Sequence, residues 1–184
     1  MFPSPPRYDR WPLALQHAMR LRGALLPCGP GVRGVGWPDT PRVRLAAIAG
    51  VLEGGHVAAF LTAAWVWGAA ADPGEPLSVA GCAGRARTHR PSGARRYELR
   101  LGQADIETLG EFGVTTPLRT ILDLLHANAT FGLAEQSACR NLMSLANIDT
   151  DEVNDLLFGL RRPHVRLARA RFREVAREHE AALP

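Results

Sequence analysis

The run Gly113-Val114-Thr115-Thr116-Pro117-Leu118-Arg119-Thr120-Ile121-Leu122-Asp123-Leu124-Leu125 leaves the chain little choice of local structure. The Thr116 hydroxyl can accept a hydrogen bond from an orphan backbone N–H of a first helical turn. Pro117 follows at the first helical position, where a missing N–H costs nothing and φ is already set. Leu118, Ile121, Leu122 and Leu125 then fall on one face at helical spacing. Arg119 and Asp123, four apart, can pair. The block predicts a short extended run that turns directly into a capped amphipathic helix.

A second constraint is the apolar stretch from Ala46 to Ala71. It is long enough to suggest a membrane span, but Glu53-Gly54-Gly55-His56 interrupts it, and each half is too short to cross a hydrocarbon core of about 30 Å. Two buried helices joined by a Gly-Gly turn are the expectation. Pro41 to Leu52 reads as a helix, with Pro41 its first residue after Thr40. Val57 to Ala69 reads as a second helix, or as a short strand and then a helix with Thr62 as N-cap. Trp65 and Trp67, two apart, point to different faces of a helix, so at least one belongs to the core.

Around these segments, residues 1–8 are proline-rich, and Trp11 to Leu21 reads as a short helix. Leu25 to Trp37 carries four glycines and two prolines, the chemistry of turns and a small hairpin. Leu77 to Ala80 reads as a strand. Tyr97, Leu99 and Leu101 alternate with charged residues as a half-buried strand does, and Phe112 to Thr115 adds a third. The C-terminal third reads as helical. Leu133 to Ala146 forms one helix, and Asp149 with Glu152 resembles a capping box for the next. That next helix has an apolar stripe of Val153, Leu156, Leu157 and Leu160. A last helix starts at Pro163 and buries Val165, Ala168, Phe172, Val175 and Ala176. The expected fold is α+β: a small antiparallel sheet of about three strands, packed with several helices. Residues 1–10 are expected to be loose and 11–184 to form a single domain, helical from about residue 117.

The chain has 184 residues, 46% of them hydrophobic, enough to bury a core. It holds 22 basic residues, all of them arginine, and its formal net charge is +4. The charge is unevenly spread. Residues 85–100 hold six arginines against one glutamate, and residues 161–184 hold seven arginines against three glutamates. Residues 101–160 reverse the sign, with two arginines against nine acids. Arg162, Arg166, Arg169, Arg173 and Arg177 recur at helical spacing and form one stripe. That stripe reads as a phosphate-contacting ridge, or as a solvated flank whose stems cover the core edge. Arg85, Arg87, Arg90, Arg95 and Arg96 form a second basic group in a Gly/Arg-rich loop.

Catalytic constellations are missing from the pattern. Cys28, Cys82 and Cys139 have no paired spacing, and the six histidines show none for zinc. Asp105, Glu107 and Glu111 form a small acidic group without the lysine that metal-assisted nucleases pair with carboxylates. No phosphate-binding loop or nucleophile elbow is present. The N-terminus has no apolar core of signal-peptide type. The reading is a cytoplasmic, non-enzymatic protein with no cofactor, no metal and no membrane segment.

The Thr115–Leu124 block resembles the signature of AbiEi-family antitoxins of type IV toxin–antitoxin systems, in their actinobacterial form. Val57 to Ala70 is similar to that family's helix ending in Trp-Gly (Trp65, Trp67, Gly68). Leu26 to Val35 looks like the turn-rich segment before it. The resemblance marks Trp65, Trp67, Gly68, Thr115, Thr116, Pro117, Arg119 and Asp123 as structural motif residues. It implies a regulator that binds its own promoter DNA, a nucleotidyltransferase toxin encoded nearby, and a role in phage defence. Family members carry an N-terminal winged helix-turn-helix. Here one short helix precedes the glycine-rich segment, so that module is incomplete. The alternative from the residues is a protein-interaction module without DNA binding, as a homodimer or with another partner. The oligomeric state is left open.

Overall fold

The computed structural model describes residues 3–81, 93–127, 131–159 and 164–182. Residues 3–12 carry no regular element. Arg7 fastens them, bonding Asp9 at 2.6 Å and Glu53 at 2.8 Å and lying 5.5 Å from the centre of the Phe112 ring. Helix α1 (Leu13–Leu21) then leads into an antiparallel hairpin of β1 (Leu25–Cys28) and β2 (Gly31–Gly34). Gly29 turns the hairpin at a φ of +54°, and a Cβ there would stand 2.7 Å from the Trp65 indole. At Gly31 a Cβ would stand 2.2 Å from the backbone oxygen of Ala47. The hairpin is pressed onto the helix beneath it with no room for a side chain. Gly31→Ala is therefore expected to destabilise the fold by about 1–3 kcal/mol, as overpacking does. Urea unfolding measures this, and wild-type stability would mean that the hairpin does not rest there.

Helix α2 (Pro41–Ala47) begins at Pro41 as expected. The helix does not run on to Leu52. It breaks at Ile48, where φ is −110° and ψ is 16°, and α3 (Ala49–Leu52) follows as one turn. After it come β3 (His56–Ala58) and α4 (Phe60–Trp67), the strand-then-helix alternative. The N-cap position is Ala59 rather than Thr62. Thr62 lies buried inside α4, where its hydroxyl donates to Pro73 O at 2.7 Å and accepts from Ser78 N at 2.8 Å. It thus secures the chain entering β4 (Leu77–Gly81). Gly68, at a φ of +86°, supplies the left-handed residue that ends α4.

The remaining strands are β5 (Ala94–Tyr97), β6 (Ile106–Leu109) and β7 (Phe112–Thr115). The sheet corrects the expectation of about three antiparallel strands. It has five, in the order β5-β4-β3-β7-β6, beside the separate two-stranded hairpin. It is also mixed: β3 pairs β7 and β4 pairs β5 in parallel, while β3–β4 and β6–β7 are antiparallel. The strand at Tyr97 covers Ala94–Tyr97 and does not continue through Leu99 and Leu101.

Helices α5 (Pro117–His126), α6 (Leu133–Ala146), α7 (Thr150–Gly159) and α8 (Val165–Ala182) make the C-terminal third helical, as expected. Two apolar clusters result. Leu45, Ile48, Val66, Val79 and Val114 fill one beside the sheet. Ile121, Leu125, Leu142, Met143, Leu157 and Phe172 fill the other between α5, α6, α7 and α8. Helix α4 serves both, turning Ala64 to the helical cluster and Ala63, Trp65 and Val66 to the sheet cluster. Its alanines let neighbouring backbones close in, and a close-packed interior needs that.

Candidate nucleic-acid interface

The Thr116 block forms as its residues predict: Thr116 Oγ1 accepts from Arg119 N at 3.4 Å and Pro117 opens α5. Its Arg–Asp pair is more than a surface i,i+4 contact. Arg119 is 5% exposed and Asp123 4%. Arg119 Nε donates to Asp123 Oδ1 at 2.9 Å and Oδ2 at 3.0 Å, and Nη1 donates to Asp105 Oδ2 at 2.9 Å and Arg100 O at 3.1 Å. Asp105 also accepts from Gly102 N at 2.7 Å, and its carbonyl accepts from Thr116 N at 2.9 Å. Beside it Thr120 Oγ1 lies 2.7 Å from Thr115 Oγ1 and donates to Thr116 O at 2.8 Å. Trp67 Nε1 donates to Thr115 O at 2.8 Å. None of these buried side-chain atoms lacks a partner among the described residues. The network binds α4, β7, α5 and the 3-10 turn Gln103–Asp105 to one another.

The blocks flanking it in sequence join the same scaffold. Gly29 of the hairpin meets Trp65, and the Arg44 guanidinium lies 5.4 Å from that ring's centre. Arg44 also donates to Trp65 O and, at 2.8 Å, to each oxygen of Asp39. That contact holds the Asp39 carboxyl below the usual carboxylate range. Trp65 is buried and Trp67 half-buried, and both serve packing. Asp105 is committed to Arg119, while Glu107 and Glu111 stand exposed on β6 and the turn after it. Burial, with the charge of Asp39 adding to it, pushes the Cys28 thiol up to about 11, and burial pushes Cys139 up as well. Neither is a ready nucleophile near neutral pH. Among the described residues no group of three His, Cys, Asp or Glu could hold a metal ion, and no helix is long and apolar enough to cross a membrane.

The arginines divide by partner. Arg85, Arg87, Arg90 and Arg162 lie outside the described residues. Arg95 is exposed on β5, the edge strand, and Arg96 beside it pairs with Glu98 at 2.7 Å. The other four, Arg166, Arg169, Arg173 and Arg177, share α8, a different element from β5. Arg169 closes the end of α7, donating to Leu157 O at 3.1 Å from Nη2 and 3.3 Å from Nε, with its guanidinium 4.2 Å from the centre of the Phe158 ring. Arg171, which lies off the stripe, does the same for α5. It donates to Leu125 O at 2.9 Å and Ala127 O at 2.7 Å and lies over Phe131. Both cations satisfy carbonyls at a helix C-terminus, the end that favours positive charge. Arg140 pairs with Glu178 and ties α6 to α8.

Arg166, Arg173 and Arg177 remain exposed on one face of α8, with no ion pair among the described residues. Arg173 Nε donates to the carbonyl of Arg169 at 3.4 Å. The stripe is thus part scaffold and part open surface. Arg169→Ala is expected to cost about 1–3 kcal/mol, since a charge-assisted capping contact is lost. Arg166→Ala should stay within about 0.5 kcal/mol. Thermal denaturation of the two variants checks this, and equal melting temperatures would show that Arg169 caps nothing of consequence.

Against models of protein families, curated proteins and solved structures, the chain has no match.

Proposed function

We propose that this is a non-catalytic antitoxin or transcriptional regulator of AbiEi type. It belongs to a type IV toxin–antitoxin, or abortive infection, system in the cytoplasm and works by binding nucleic acid through arginine. One observation carries the reading: Arg166, Arg173 and Arg177 stand exposed along one face of α8 with no acid in ion-pair reach among the described residues. Unpaired arginines on a rigid helix are suited to phosphate, which they grip bidentately. The meeting of the three motif blocks in one scaffold also supports the family reading. Its partners are its own promoter DNA and a nucleotidyltransferase toxin encoded nearby. Fluorescence anisotropy with the chain's own upstream DNA and with a scrambled duplex tests it. Tighter binding to the native DNA is the expected result, and absence of binding to either would overturn the reading.

One observation favours the second reading, an interaction module. Helix α1 buries none of its residues and leaves Leu13 72% and Leu21 90% exposed. If that face is an interface, light scattering of the purified protein should show a dimer that Leu13→Ser with Leu21→Ser abolishes.

A further inference from the structure

We infer that Phe158 is a base-stacking position, so that α8 binds a single strand, DNA or RNA, more tightly than a duplex of the same sequence. The inference rests on the nucleic-acid reading above and adds the class of strand. Phe158 is 68% exposed at the end of α7, where an aromatic ring buries little of its own surface. It is nonetheless held. The Arg169 guanidinium covers it at 4.2 Å from the ring centre, and Arg169 is itself fixed by the carbonyls of Leu157 and Phe158. A ring backed by a fixed cation is oriented before any ligand arrives, so little side-chain entropy remains to be lost on binding.

The surroundings name the ligand. Arg166 and Arg173 are three before and four after Arg169 in α8, hence about one turn to either side on the same face. The exposed ring therefore stands in the middle of the arginine row. An aromatic among cations that can follow a phosphate backbone is the arrangement that binds single strands, because every base has a π face and a single strand can splay it out. In a duplex the bases are stacked on one another, and the arginines alone would be engaged.

Anisotropy titrations of a labelled single-stranded DNA, the same sequence as RNA, and the DNA duplex test this. The proteins are wild type, Phe158→Ala, Phe158→Trp, and Arg166→Glu with Arg173→Glu. Phe158→Ala should weaken single-strand binding roughly five- to a hundredfold, the worth of one stacked base. It should leave duplex affinity unchanged, and Phe158→Trp should retain single-strand binding. A loss on DNA alone, on RNA alone or on both supports the inference and identifies the strand. If the arginine pair's reversal weakens every probe while Phe158→Ala weakens none, or weakens duplex and single strand equally, stacking is overturned and the nucleic-acid reading stands. If wild type binds no probe, both fall.

Discussion

Arg119→Ala should lose about 3–5 kcal/mol of stability, the cost of breaking a buried charge pair by removing one partner. Against a total of about 5–15 kcal/mol for a typical domain, that is enough to leave much of the protein unfolded at physiological temperature. The reason is what remains behind. Asp123, 4% exposed, would keep its charge in the interior without the guanidinium that now meets both its oxygens. Asp105 and the Arg100 carbonyl would lose their shared donor at the same time. Lysine should not rescue the site, because Nε and Nη1 serve acceptors on different segments and a single ammonium has no such fork. Replacing the pair with apolar residues, Arg119→Met with Asp123→Leu, should recover a good part of the loss, since no buried charge is then stranded at position 123. Chemical denaturation of the three variants measures all of this. A loss below about 1 kcal/mol for Arg119→Ala, the level of an exposed pair, would show that the block is only a helix start.

The second large effect is on binding. Reversing Arg166, Arg173 and Arg177 to glutamate together should leave the melting temperature close to that of wild type, because all three are exposed and in no ion pair among the described residues. Nucleic-acid affinity should collapse, and the salt dependence with it. Each phosphate-contacting side chain removed lowers the slope of log K against log salt by about one. The triple variant should therefore lose about 2.7 from the slope, about 0.9 for each arginine, with a further penalty from three new repulsive charges. Unchanged affinity and slope would mark this face as a solvated flank.

What the residues disclosed and what they hid follow a physical division. The Thr116 cap and Pro117 were readable because the groups that meet lie within four positions. Most of the buried face of α8 was readable from periodicity alone: Ala168, Phe172, Val175 and Ala176 are buried, while Val165 in the first turn is half-buried. The burial of Arg119 was not readable, because Asp105 and Arg100 reach it from 14 and 19 residues away in sequence. Strand β3 escaped a firm assignment because His56, Val57 and Ala58 are all buried, which removes the alternation that marks a strand. Strand β6 gave no apolar signal strong enough, and neither strand order nor direction is written in any local pattern. The arginine stripe was visible as spacing. That Arg169 would be drawn to the carbonyls of α7 depends on another helix arriving beside it, as does the role of Phe158.

The most direct test of the central claim, that α8 presents a phosphate-binding surface, is the salt dependence of wild-type binding to an unlabelled-competitor-checked DNA duplex. Three arginines on three phosphates predict a linear fall in log K with log salt and a slope near −2.7, about −0.9 per phosphate. A flat line, or no binding at low salt, would contradict it.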